Sequence, residues 1–328
     1  LCLNILTRRY TSYIGYILYL GSEKMNEFIE KLYENIIKST DSCEDAIKVL
    51  KKIKGNILCV GTGGSKVVSD FSSKVIEKKN GCITKRVDIS DIDETDKKLY
   101  DAIFISSYSG TNYGVEYSLN NDLIHYVLTS NRELKNALVI PYEMEHEHSF
   151  ISLNSTCVPM AILLKYYLGD EFLSILNEIF SKVDKDVFID LNGESIVNIF
   201  YSDKAIATST FMESTLVEAN IVAPLMHKLY SYCHGRHTFN RNHDKKAILI
   251  GYNGSDLENV LIENFKYQMK EYIVLKSEFE DDIINDFYLT IQAVYLLRNI
   301  ALSMNVDLSE IKYDKIAAKR LFNFKGSV

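Results

Sequence analysis

Short apolar runs recur along this chain, each bounded by turn residues and most of them followed by a stretch of helical spacing. Asn56-Ile57-Leu58-Cys59-Val60 is the clearest, and residues 84–89, 102–106, 125–129 and 137–140 follow in the same half. Runs of four to six apolar residues read as strands buried on both faces, and a helix between two of them permits a parallel connection. The helices are read from their periodicity. Met25, Phe28, Ile29, Leu32, Ile36 and Ile37 form one apolar stripe, and residues 45–52, 66–78 and 159–168 give further helices. The second half repeats the scheme less regularly. Strands are expected at 205–208, 247–250 and 272–275, and helices at 214–227, 255–267 and 286–303. The chain therefore reads as α/β, with parallel sheets covered by helices on both faces. A mixed-charge stretch at 182–190, ahead of Leu191-Asn192-Gly193, marks the expected boundary. It gives units 25–185 and 186–328, whose similar size suggests an internal duplication.

Composition narrows the function. At 328 residues and 47% apolar the chain can bury two ordinary cores. Only 3 prolines occur, which leaves room for long helices. A net charge of −7 offers no general attraction to nucleic acid or to an anionic membrane, so neither is an expected partner, and any phosphate must be held locally. The six cysteines form no C-x-x-C pair and read as free thiols in a reducing cytoplasm. Residues 1–24 carry Arg8, Arg9 and an apolar stretch at 13–20 that is too short to span a bilayer. They are expected to be a non-native or disordered extension ahead of Met25.

In open parallel sheets, ligands sit beyond the carboxyl ends of the strands, and two loops there have unusual chemistry. Gly61-Thr62-Gly63-Gly64-Ser65 joins a strand to a helix, where glycines let an anion approach the free N–H groups of the helix start. Lys66 stands where a dinucleotide fingerprint needs its third glycine, and there is no G-x-x-x-x-G-K-S/T loop. Ser106-Ser107-Tyr108-Ser109-Gly110-Thr111-Asn112 follows the strand at 102–106 with hydroxyl and amide donors suited to a phosphate, a pattern that an ordinary polar turn shares.

These two loops resemble the first loop and the S-x-S-G phosphate loop of the sugar-isomerase (SIS) domain. The tandem arrangement is similar to the isomerase half of glutamine–fructose-6-phosphate aminotransferase and to the fructosamine-phosphate deglycases. The resemblance implies two SIS-type three-layer αβα domains. It implies a sugar phosphate on Ser107, Ser109 and Asn112, with Thr62 and Ser65 touching the sugar. Ser155-Thr156 resembles the family's S-T-K segment, with Cys157 in place of the lysine. Glu218 precedes His234-Gly235 by the family's gap of sixteen between catalytic glutamate and histidine. Ala318-Lys319-Arg320-Leu321-Phe322 resembles the terminal segment whose lysine closes over the open-chain sugar. Glu218, His234 and Lys319 are thus the implied catalytic residues, and a homodimer is implied because the family often takes its histidine from a neighbouring subunit.

Departures are plain. Arg236 replaces the proline of H-G-P, Phe211 stands seven residues before Glu218 where the aminotransferases have a second glutamate, and Thr111 replaces another. No glutaminase half is present in these residues. The expected activity is isomerisation, or deamination or deglycation, at C1/C2 of a sugar 6-phosphate or amino-sugar 6-phosphate. A non-catalytic sugar-phosphate sensor is the alternative. No cofactor is expected. No metal is expected either, since the spacing of His227, His234, His237 and His243 lacks a Cys pair or H-E-x-x-H helix. Residues 143–148, rich in Glu and His, read as a solvated acidic loop.

Overall fold

The computed structural model describes residues 29–92, 95, 97–110, 113–120, 122–144, 147, 151–240 and 244–309. Residues 1–24, Asn112, His243, Lys319 and the basic tail at 312–325 lie outside them.

Helices α1 (Leu32–Asp41) and α2 (Glu44–Leu50) lead into β1 (Asn56–Val60), α3 (Gly64–Asn80) and β2 (Ile83–Val87). Then come β3 (Ala102–Ser106), α4 (Tyr113–Ser118), β4 (Ile124–Thr129), β5 (Leu138–Pro141), α5 (Asn154–Leu168) and α6 (Phe172–Lys182). These strands form one parallel sheet in the order β2-β1-β3-β4-β5. The second half runs β6 (Ile196–Tyr201), α7 (Ile206–Glu218), β7 (Ala223–Lys228), α8 (Leu229–Cys233), β8 (Lys245–Tyr252), α9 (Asp256–Gln268), β9 (Met269–Lys276) and α10 (Asp282–Ser303). Its sheet, β7-β6-β8-β9, is again parallel.

Strand alternation builds the layers. Ile57 and Cys59 of β1 face one core while Leu58 and Val60 face another. In β8, Ile248 and Ile250 join the same core as Ile57, and Ala247 and Leu249 turn to the opposite side. One continuous apolar core thus lies between the two sheets, filled by α1, α2, α3, α5, α6, α7 and α10. Smaller clusters cover the outer sheet faces, the one in the second half including residues of α8 and α9. Each half is a three-layer αβα unit, and the two share their inner helical layer.

Two expectations in the second half and one in the first are corrected. Residues 205–208 are no strand; Ala205 ends a 3-10 turn and Ile206 begins α7, and the strand lies earlier, at Ile196–Tyr201. The expected helix at 214–227 ends at Glu218, because Asn220 takes φ 52° and turns the chain into β7. Pro224 then fits, since β7 is an edge strand and can spare an N–H. Residues 84–89 pair only as far as Val87. Among the described residues, no helix is long and apolar enough to cross a membrane.

Candidate active site

The loop after β1 is shaped by its glycines. A side chain at Gly61 would collide with the Ser65 carbonyl, and Gly63 sits at φ 55°. The Ser65 and Lys66 N–H groups close tight turns onto the Thr62 and Gly63 carbonyls, at 3.1 and 2.9 Å. The helix that follows, α3, begins with no side-chain cap and no acid in its first turn. Its positive end is therefore left to whatever enters the space beside it.

That space is a cleft of about 350 Å3 between the two halves. Thr62, Gly63 and Lys66 line one wall with Asp88, which pairs with Lys66 at 3.7 Å. The other wall is one face of α7: Thr210, Glu213, Ser214, Val217 and Glu218. These recur at helical spacing, so α7 turns one face to the core and this one to the first half.

Buried contacts set α7 in place. Asp286 of α10, fully buried, accepts from the N–H groups of Ala207 and Thr208 at 3.2 and 3.0 Å and pairs with Lys74 of α3 at 2.9 Å. Midway, the Thr210 hydroxyl donates to Asp70 of α3 at 2.6 Å. Burial pushes the Asp70 carboxyl above its ordinary range, against that hydrogen bond and the nearby Arg86. At the far end Glu218 closes the helix. A Cβ on Gly63 would lie 3.6 Å from Glu218 Oε1. The Ser214 hydroxyl, one turn back, donates to that oxygen at 2.7 Å. Burial raises the Glu218 carboxyl above its ordinary value, and the Ser214 hydrogen bond works the other way. A half-buried carboxylate with one donor and an open face can take a proton from a bound molecule.

The remaining expected residues are placed as follows. Thr62 lines the cleft; Ser65 is not among its lining residues. Ser107 is buried. Its N–H donates to the Leu128 carbonyl at 3.0 Å, and its hydroxyl accepts from the Gly110 N–H at 3.2 Å, tying the loop after β3 into a compact turn. Ser109 is exposed on that turn. The Ser155 hydroxyl and N–H both donate to Glu147 at 3.0 Å, and Glu147 also accepts from the N–H groups of Leu153 and Asn154 at 3.1 Å. Glu147 is therefore the built-in anion at the start of α5 rather than part of a solvated loop. Its burial raises its carboxyl while these four donors pull it down. Cys157, in the place of the family's lysine, is fully buried.

His234 is not among the residues that line the cleft. It is exposed and caps the C-terminus of α8, whereas Glu218 lies before β7. Phe211 is buried in the core, so its side chain leaves the cleft face of α7 altogether. Sequence reasoning missed Ser214, Lys66 and Glu213 at the cleft. The signal for Ser214 was its position one turn before Glu218.

No protein-family model matches the chain, and no curated protein matches it. Solved structures do. Tagatose-6-phosphate ketose/aldose isomerase from Escherichia coli superposes with a TM-score of 0.71 at 14% identity, over 88% of this chain and 96% of that one. The C-terminal domain of glucosamine-fructose-6-phosphate aminotransferase from Francisella tularensis gives 0.66 at 15%, over 87% and 97%. The fold is that of the tandem SIS proteins. Glucosamine-6-phosphate deaminase from Thermotoga maritima shares it, with a TM-score of 0.64 at 15% identity over 90% and 98%. In SIS terms the cleft lies at the switch point of the first half, where strand order turns from β1 to β3.

Proposed function

We propose that this chain binds a sugar 6-phosphate or amino-sugar 6-phosphate in the cleft between Thr62 and Glu218. There it catalyses isomerisation, or deamination or deglycation, at C1/C2. The observation that carries this reading is Glu218 itself. Burial raises its carboxyl, Ser214 holds it, and it stands across an open cleft from an uncapped helix start. The solved structures of this fold named for sugar-phosphate isomerisation, amination and deamination support the substrate class.

In this reading the phosphate sits on the loop after β3, with Ser107, Ser109 and Asn112 as donors, and Thr62 orients the open-chain sugar. Glu218 removes the proton from C2 of the aldose form. The electron pair moves into the C1–C2 bond as the C1 carbonyl oxygen becomes the enediol oxygen. The C2 hydroxyl proton passes to O1, the C2–O bond becomes the carbonyl, and return of the abstracted proton to C1 gives the ketose. This general base catalysis supplies about 10²–10⁴-fold. His234 of a second copy assists ring opening and Lys319 offsets the enediolate charge. A homodimer in the cytoplasm is the assembly we infer.

The test is solvent deuterium exchange at C1/C2 over a panel of hexose and hexosamine 6-phosphates. Exchange with at least one sugar, abolished in Glu218→Gln, is the expected result. Binding across the panel with no exchange favours the sensor reading. Ser109→Ala is expected to weaken sugar phosphates about tenfold and leave free sugars unchanged; equal weakening of both removes the phosphate assignment.

A further inference from the structure

A second cavity lies on the outer face of the second sheet and shares no lining residue with the Glu218 cleft. Its volume is about 1050 Å3, and it is lined by Ile196 of β6, Ala223, Leu225 and His227 of β7, and Arg236 and Phe239 of the segment after α8. His227 is 2% exposed. Its ring stacks on Phe200 at 5.0 Å and meets the edge of Tyr232 at 5.1 Å, so it is held in one orientation.

The proton on that ring can be located by hydrogen-bond logic. The Asn198 side-chain N–H donates to the Lys246 carbonyl at 3.3 Å, and a carbonyl has no proton to give back. This fixes which end of the Asn198 amide is oxygen. That oxygen faces His227 Nε2 at 2.9 Å and can only accept, so Nε2 carries the proton. Burial, aided by the Arg236 charge, pushes His227 down to about 4, and the ring is neutral at physiological pH. Nδ1 is then a bare lone pair, and it is buried without a hydrogen-bond partner. Unpaired buried acceptors are uncommon in folded proteins and ask for a donor.

We propose that this groove is a binding site for a polyhydroxylated anion, whose acid group pairs with Arg236 and one of whose hydroxyls donates to His227 Nδ1. The C–H face of such a molecule fits the exposed ring of Phe239. The guanidinium at the rim rejects a metal cation, which the bare imidazole would otherwise attract. Sugar acids and sugar phosphates share the required chemistry. The site depends neither on Glu218 nor on the reaction proposed above.

The experiment is long-range 15N–1H spectroscopy of histidine-labelled full chain. His227 is assigned with His227→Gln. Should that variant not fold, His125→Gln separates it from His125, the other described imidazole that burial keeps neutral to lower pH. The probes are gluconate, glucose 6-phosphate, glucose and inorganic phosphate. Either polyhydroxylated anion should move the Nδ1 resonance upfield, saturably, as the lone pair accepts a hydrogen bond. Glucose and phosphate should act at least about tenfold more weakly, and Arg236→Gln should cost the anion about tenfold in affinity. An Nδ1 signal unmoved by both anions, or moved equally in Arg236→Gln, overturns the proposal. So does a signal that follows protein concentration alone, which would make a second copy the occupant. Because the reporter is local, binding in the Glu218 cleft does not register.

Discussion

The two halves use the same strand–loop–helix unit at corresponding places and finish it differently. In the first half β1 runs through Gly61–Ser65 into α3, whose start has no side-chain cap and no acid. In the second half β6 runs into α7, whose first amides are taken by the buried Asp286. Both helix starts attract an anion for the same reason. One keeps the seat open beside a cleft; the other fills it with a carboxylate from its own chain and uses the charge to hold Lys74 of the first half. Two like units thus supply one open cleft and one fastener. The helix α5 follows the second solution, with Glu147 in the seat, and α9 opens with a capping box made by Ser255 and Glu258.

The comparison can be broken from either side. Asp286→Asn should do most damage, because it leaves Lys74 without its buried partner. Losing one member of such a pair costs about 3–5 kcal/mol, which denaturant unfolding will read as a lower midpoint. If stability is unchanged, Asp286 is not the fastener. Gly63→Asp tests the opposite half by giving the open seat a carboxylate of its own. Sugar-phosphate affinity should fall tenfold or more, with a stability loss of about 1–3 kcal/mol from a φ of 55° at ψ −135°; titration calorimetry and denaturant unfolding separate the two. The smallest effect should come from Ser214→Ala. Its hydroxyl favours the ionised carboxylate, so removing it raises the Glu218 pKa further. The base must be ionised to act, so the acid limb of the pH–rate profile should move to higher pH, with activity above that limb kept within about tenfold.

How much of this was legible in the sequence differs between the same two regions. The run Ile57–Val60 is apolar throughout and bounded by Asn56 and Gly61, so β1 was read to the residue. Residues 205–208, by contrast, were expected as a short strand. Residues 206–210 are helical because Thr208 bonds Asp286, 78 residues on, and Thr210 bonds Asp70, 140 residues back. No local pattern carries such partners. Likewise Glu218 and Thr62 were legible as candidates through the likeness of their segments to the SIS family. Lys66 and Glu213 enter the site only because α7 packs across α3. Ser155 stood out through its likeness to a familiar segment, and the sequence held no sign that Glu147 occupies its donors.

The shared inner core has a consequence for how the molecule comes apart. Residues of both sheets and of seven helices belong to one apolar cluster. Cutting the chain between Lys182 and Ile196 would strip each half of part of the layer that covers its sheet. Such a core has no internal seam along which to open, and cooperative units of this kind lose their structure together. Glu218 and the loop at Gly63 face each other across the two halves, so their alignment lasts as long as the whole fold does. A protein that had docked two finished domains would lose that geometry to domain drift. Here the helices that fasten the halves are the ones that present the chemistry.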